Sequence, residues 1–292
     1  MIRNHRMMSV CAVGAGLLGL ACPETAMAFQ FGNADPNDPS TVELVGLVRD
    51  FRAHNADGGH PDFGREPADG SGLTMGLVET TLDAEGKPVF TGMGRFVEQQ
   101  WRDSAANPIC PEFYDAGRGD VAGVWGAETD QGVTSASTFR QWFRNVPGLN
   151  VAARFPIVMK QETAGGNYVF EGKLDTQFAK FNPGGKNKNH EYTFEIEMDF
   201  IHQQGSGNEL VFTADDDFWV FIDGRLVVDL GGLHGRETQV VHLDRVPWLV
   251  SGQKYSMKVF YANRLKNASY IRIESSFALR PGALPDVMGL FD

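Results

Sequence analysis

The chain of 292 residues predicts an all-β fold, an antiparallel β-sandwich carrying long irregular insertions and one short helix. Three observations predict it. Between Tyr192 and Ile201, Phe194, Ile196, Met198 and Phe200 alternate with Glu195, Glu197 and Asp199, the period of a half-buried antiparallel strand. Asp223-Gly224 separates two apolar runs, and this pair suits the positive φ angles of a tight hairpin turn. Short strand-like runs then follow one another to the C-terminal end at the spacing of a sandwich.

Taken in order, Arg3, His5 and Arg6 precede an apolar run from Val10 to Ala21, and "AMA" at Ala26–Ala28 offers a small-residue cleavage site. Residues 1–28 are therefore expected to be a secretory signal cut before Phe29, too short for a comfortable membrane span. The alternative, a lipid anchor at Cys22, has Gly19 where a lipobox usually carries Leu. Residues 29–41 read as a polar, Pro-rich linker, 42–280 as the folded domain and 281–292 as a C-terminal tail. No later segment is long and apolar, so export without a transmembrane anchor is expected. Formal net charge is −11, and losing Arg3, Arg6 and Glu24 makes it one unit more negative. Such a chain gains nothing from nucleic-acid phosphates or anionic lipid; cations and neutral ligands such as sugars suit it better. Cys11 and Cys22 fall in the signal, leaving Cys110 without a disulfide partner and stability to core burial.

Within the domain, "VELVGLVRDF" (Val42–Phe51) reads as a strand, and the Gly-rich stretch His54–Gly72 as a loop. Residues 73–136 mix short apolar pieces with Gly and Pro, and read as mostly irregular. A helix is expected near 138–146: Ser137 or Thr138 can cap it, Phe139, Trp142 and Phe143 share one face, and Pro147 ends it. Those aromatics suit the core. Further strands are expected at "ELVFTA", on both sides of Asp223-Gly224, and at "TQVVHLD", "YSMKVFYA" and "YIRIESSFAL".

Asp215, Asp216 and Asp217 stand directly before the apolar run "FWVFI". Two readings compete. The acids can form a solvated turn whose charge blunts a strand edge against aggregation. They can instead supply hard oxygens for Ca²⁺, which takes six to eight of them; no EF-hand spacing surrounds them.

The segment "FTADDDFWVFIDGRLVVDLGGLHG" closely resembles the hallmark of the fibro-slime family of secreted proteins, itself similar to the protective-antigen-type domain of adhesins, glycosidases and toxins. "LVGLVRDF", "HPDF", "GLVETTLDAEGKPVF", "FRQWFRNVPGLN", "FEIEMDF" and "VFYANRLKNASYIRIESSF" resemble further family segments in the expected order, from Val42 to Leu279. The resemblance implies a jelly-roll-like sandwich in which two adjacent aspartates, often across a cis peptide bond, ligate a Ca²⁺ that accepts sugar hydroxyls. The matching pair is Asp215-Asp216; Asp217 stands where those relatives often have Gly. Asn263 and Arg264 stand where the family tends to carry Glu-Arg-His, with Leu265 replacing the last member. Asn263 could offer a carbonyl oxygen to the metal or simply turn the chain, and Arg264 could contact ligand. His234 is expected to make a structural hydrogen bond or contact ligand, because imidazole is a poor calcium ligand.

In "HPDF", His60 and Asp62 lack a partner at zinc-ligand spacing and a nucleophile, so Pro61 fixing the chain and Phe63 filling the core is the expected role. Trp101, Trp125 and Trp248 could stack on sugars, although core packing is the default. The functional expectation is a secreted, non-catalytic module that binds carbohydrate or matrix polymer with Ca²⁺. The alternative is a structural envelope or matrix protein that self-associates or docks on a partner. A glycosidase would need two carboxylates set across a cleft, and no pair is singled out.

Overall fold

A computed structural model describes residues 38–173, 189–265 and 269–283. The expected signal with Cys22, most of the expected linker and most of the expected C-terminal tail lie outside them. The strands are β1 (Thr41–Phe51), β2 (Thr74–Met75), β3 (Gly94–Gln99), β4 (Val124–Thr129), β5 (Asn150–Gln161), β6 (Tyr168–Gly172) and β7 (Tyr192–Ile201). They continue with β8 (Glu209–Ala214), β9 (Asp217–Ile222), β10 (Arg225–Leu230), β11 (Glu237–His242), β12 (Lys254–Asn263), β13 (Ile271–Ser275) and β14 (Arg280–Pro281), and the helix α1 spans Ala136–Phe139.

The antiparallel β-sandwich is built from one long path, β10-β9-β12-β7-β1-β5-β6-β13-β8-β11, with β14 added beside β7. Its two ends approach one another. Gln239 in β11 uses its side-chain amide to accept from the Asp229 N–H and donate to the Asp229 carbonyl in β10. A fully buried side chain thus replaces a backbone ladder, and the sandwich approaches a barrel.

β9 is buried along its whole length, which explains the unbroken run "FWVFI". Phe218 contacts Phe212 and Tyr261, whereas Trp219 and Phe221 join a cluster with Phe51, Phe63, Phe139, Trp142, Phe143 and Phe260. A strand covered on both faces reads as continuous apolar sequence rather than alternation. The covering layer is α1 with the turn after it. Phe139, Trp142 and Phe143 are all buried, as their spacing predicts.

The helix itself departs from expectation. It starts earlier and lasts one turn, because Ser135, not Ser137 or Thr138, is the cap. Ser135 Oγ accepts from Thr138 N while Thr138 Oγ1 accepts from Ser135 N, a reciprocal capping box. The "irregular" span 73–136 contains the small sheet β2-β3-β4 and buries Leu77, Val78, Trp101 and Val133. β5 and β6 have no counterpart among the expected strands, and β13 is shorter than "YIRIESSFAL". The Asp223-Gly224 hairpin matches its prediction, with φ of 51° and 73°. In "HPDF", Phe63 stacks on Phe51 at 4.4 Å between centroids. Asp62 accepts from Trp142 Nε1 and Thr134 N, and His60 Nε2 faces the Thr138 carbonyl. The motif therefore anchors the helical cover to the loop. Among the described residues no helix is long and apolar enough to cross a membrane.

Candidate functional site

The chain passes from β8 to β9 through only Asp215 and Asp216. β8 pairs with β11 and β13, whereas β9 pairs with β10 and β12, so these two residues carry the chain from one part of the sandwich to another. No cis peptide bond occurs among the described residues, so the cis Asp215–Asp216 bond expected from the resemblance is absent. The turn is made instead by Asp216 in the left-handed region, φ 55°, a conformation that Asp tolerates better than most residues.

The three aspartates have different surroundings. Asp215 Oδ1 accepts from Tyr261 Oη and Tyr270 N, both at 2.9 Å. Its Oδ2 is buried and has no hydrogen-bond partner. Asp216 Oδ2 accepts from Arg264 N at 3.0 Å, and Asp216 N donates to the His234 carbonyl. Burial pushes the Asp215 carboxyl above its ordinary range, against the pull of its two donors. Burial also raises Asp216 well above that range, and the neighbouring charges of Asp217 and Asp215 push the same way. Two buried carboxyls thus sit side by side, each held above its ordinary range chiefly by burial.

Asp217 belongs to the core instead. It opens β9, is fully buried, accepts from Gly232 N through Oδ1, and pairs through Oδ2 with Arg264 Nε at 2.6 Å. Arg264 also donates from Nη1 to the Gln131 carbonyl and lies over the Trp142 ring at 4.9 Å. The expected roles of Asp217 on a metal and of Arg264 on a ligand therefore meet a plain obstacle, since each already neutralises the other out of solvent. Asn263 ends β12 fully buried and does not line the cleft described next.

Asp215 and Asp216 border a cleft of about 410 Å³ whose other walls are Ser71–Leu73, Leu233–Gly235, Glu237 and Leu265. His234 is half-buried there, and its two ring nitrogens face the carbonyls of Gly235 and Leu230. Glu237 is held by Gln100 Nε2 at 2.8 Å. Tyr261 and Tyr270, which fix Asp215, carried no signal in the sequence beyond strand alternation. Gln131 carried none; its Oε1 accepts from Leu233 N and its Nε2 donates to the Gly70 carbonyl, tying together two walls of the cleft. Of the tryptophans, Trp101 is buried, while Trp125 is partly exposed beside it at 4.4 Å between centroids. Cys110 is buried and its thiol is pushed strongly upward by that burial, which removes it as a nucleophile.

Behind the cleft, Asp229 accepts from Trp219 Nε1 and Gly76 N. Burial, reinforced by the Asp217 charge, raises its carboxyl from 3.8 to about 7. The folded state therefore holds this proton longer than the unfolded chain, and stability falls as pH rises from the ordinary Asp value through about 7. A carboxyl-carbon NMR titration should place the Asp229 midpoint near neutral pH. A midpoint near the unperturbed value of about 4 would contradict this account of its burial.

Residues 131–281 match the PA14 domain. The chain belongs to the PA14 domain family. The match runs from Gln131 through the aspartates to β14, and so contains most of the cleft. Relatives of the PA14 chain include protein psiQ of Dictyostelium discoideum, 34% identical over 168 residues, covering 52% of this chain and 17% of psiQ. Protein psiH of the same organism is 32% identical over 253 residues, covering 82% of this chain and 31% of psiH. The chain spans less than a third of the length of either relative. Among solved structures, the PA14 sugar-binding domain from an RTX adhesin is 12% identical with a TM-score of 0.27, covering 81% of this chain and 94% of that one. The PA14 domain of the MpAFP antifreeze protein is 10% identical with a TM-score of 0.26, covering 40% and 71%.

Proposed function

We propose that this chain is an exported, non-catalytic PA14 module of the fibro-slime type that binds carbohydrate or matrix polymer with the help of Ca²⁺. The observation that supports it best is the buried, unpartnered Oδ2 of Asp215 beside the raised carboxyl of Asp216, on the wall of a sugar-sized cleft. A buried carboxylate oxygen without a partner, such as Asp215 Oδ2, is costly unless a cation arrives, and hard carboxylate oxygens suit calcium. Asp215 and Asp216 are the residues that would hold the ion. Among the described residues no three His, Cys, Asp or Glu side chains converge as a metal cluster, so the remaining oxygens would come from backbone carbonyls, water and ligand hydroxyls. When bound, the ion supplies positive charge that accepts vicinal hydroxyls. The chain's own part is to fix Asp215 through Tyr261 and Tyr270, and to shape the walls through Gln131.

The test is calcium titration by calorimetry, followed by a glycan array with and without EDTA. The expected result is calcium binding and glycan signals that vanish with the chelator. Glycan binding that survives EDTA and the Asp215→Ala/Asp216→Ala double change would overturn the calcium-dependent reading. Calcium binding with a silent array would move the function towards a structural or docking role.

A further inference from the structure

A second cavity, about 550 Å³, shares no residue with the aspartate cleft. It lies where β1, β7 and β12 meet the helical cover, with Phe143 and Phe260 in its lining. Four cationic side chains line it, Arg49, Lys87, Arg144 and Lys258, against three carboxylates, Glu85, Glu195 and Glu197. Arg144, with Arg140, is balanced by Glu85 and by Asp83 just outside the lining, which leaves Arg49, Lys87 and Lys258 against Glu195 and Glu197, a local positive excess in a strongly acidic chain. The carboxylates are all engaged: Glu195 by Arg49 and Lys87, Glu85 by Arg140 and Arg144, and Glu197 by Ser256 Oγ at 2.8 Å. The donors are not used up. Arg49 is 3% exposed, and its Nη1 has no hydrogen-bond partner. Lys258 reaches Glu197 only at 3.4 Å. Lys87 has three donors and spends its ion pair on the single Glu195 carboxylate, already shared with Arg49.

We infer that this cavity is an oxyanion site that takes a carboxylate carried on a sugar-sized polar body, with Lys87 and Lys258 as its donors and the buried Arg49 adding positive charge in the wall. The sign follows from the inventory: spare N–H groups on cations call for an acceptor, and a carboxylate gives charge-assisted bonds. The size follows from the volume, which exceeds what a lone carboxylate fills and lies in the range of small-molecule pockets. Glu195 is the internal competitor, occupying Arg49 and Lys87 when the cavity is free. Burial pushes the Lys87 ammonium downward and Glu195 pulls it back, so an arriving anion would share in holding that charge.

The probes are glucuronate, glucose as its neutral counterpart, and acetate and sulfate as bare anions, titrated by calorimetry into the full chain in EDTA. Glucuronate is expected to bind more tightly than acetate or sulfate, and glucose not to bind at this cavity. Lys258→Gln, at the exposed rim, should weaken glucuronate about tenfold, the worth of one charge-assisted hydrogen bond. Glu195→Gln should tighten it, since the competing charge is gone, and Asp215→Asn should leave it unchanged. Should Glu195→Gln fail to fold, Lys258→Gln alone decides. Equal binding of glucose and glucuronate, no anion binding by the folded wild type, or an unaltered affinity in Lys258→Gln would each overturn the assignment. Acetate or sulfate matching glucuronate would overturn the sugar-sized part of it. Because calcium is absent throughout, failure here is separate from failure of the aspartate cleft.

Discussion

Asp217→Asn should lower the free energy of unfolding by about 3–5 kcal/mol, because it strands a fully buried arginine. The Asp217–Arg264 pair is 0% exposed on both sides. Asparagine can still accept from Gly232 N, but its amide then faces Arg264 Nε with no charge to offer. Arg264 retains the Gln131 carbonyl and the Trp142 face, neither of which neutralises it. Converting both members, Asp217→Asn with Arg264→Met, should restore more than half of the loss, since a buried ion pair replaced as a unit is often nearly neutral. The unrestored part is the orphaned Gln131 carbonyl, about 1–3 kcal/mol. Urea unfolding with unchanged slope measures both. A single variant within about 1 kcal/mol of wild type, the range of an exposed surface pair, would contradict the account. So would a double variant no better than the single one. The pairs that Arg272 makes with Glu162 and Glu171 give that exposed comparison, with acidic partners more than half exposed.

The same pair shows what the sequence could and could not reveal. Alternation in β7 and the Asp223-Gly224 turn are local signals, fixed by pleat and backbone angle, and both matched the structure. "FWVFI" could be read as a strand, but not that its second face is covered by residues from 77 to 143, because that cover comes from distant sequence. β5 is long yet gives no strand signal in the sequence, since Arg154, Pro156 and Lys160 interrupt its apolar pattern. Those residues are tolerated where the strand is only partly covered. At the aspartates, composition could show that three acids adjoin a core strand, and the resemblance could single out Asp215 and Asp216. Neither could divide the run, because what separates Asp217 from its neighbours is Arg264, 47 positions away. Glu195 makes the same point. Its place in the alternation predicts the exposed face, yet Arg49 and Lys87 from other segments enclose it.

The division of the aspartates makes Asp215→Asn/Asp216→Asn the sharper experiment on the proposed function. Both carboxyls have folded pKa values raised above 3.8 by burial. The metal-free folded protein therefore holds these protons more tightly than the unfolded chain, and its stability falls as pH rises from 3.8 through the raised values. At neutral pH their ionised forms therefore favour folding less than their protonated forms do at low pH, and a bound cation would offset that loss. Neutralising both should leave the metal-free protein at least as stable as wild type, the reverse of the Asp217 result. Calcium works in the other direction. At a hundredfold excess over its Kd it should stabilise the wild type by about 2.7 kcal/mol, a rise in Tm of about 5–10 °C for a domain of this size. The double variant should show no rise. The calcium effect should shrink as pH falls through the raised values, because protons compete for the same oxygens. A double variant that melts well below wild type without metal would mean that Asp215 and Asp216 are structural, as Asp217 is. One that keeps the full calcium shift would place the ion elsewhere.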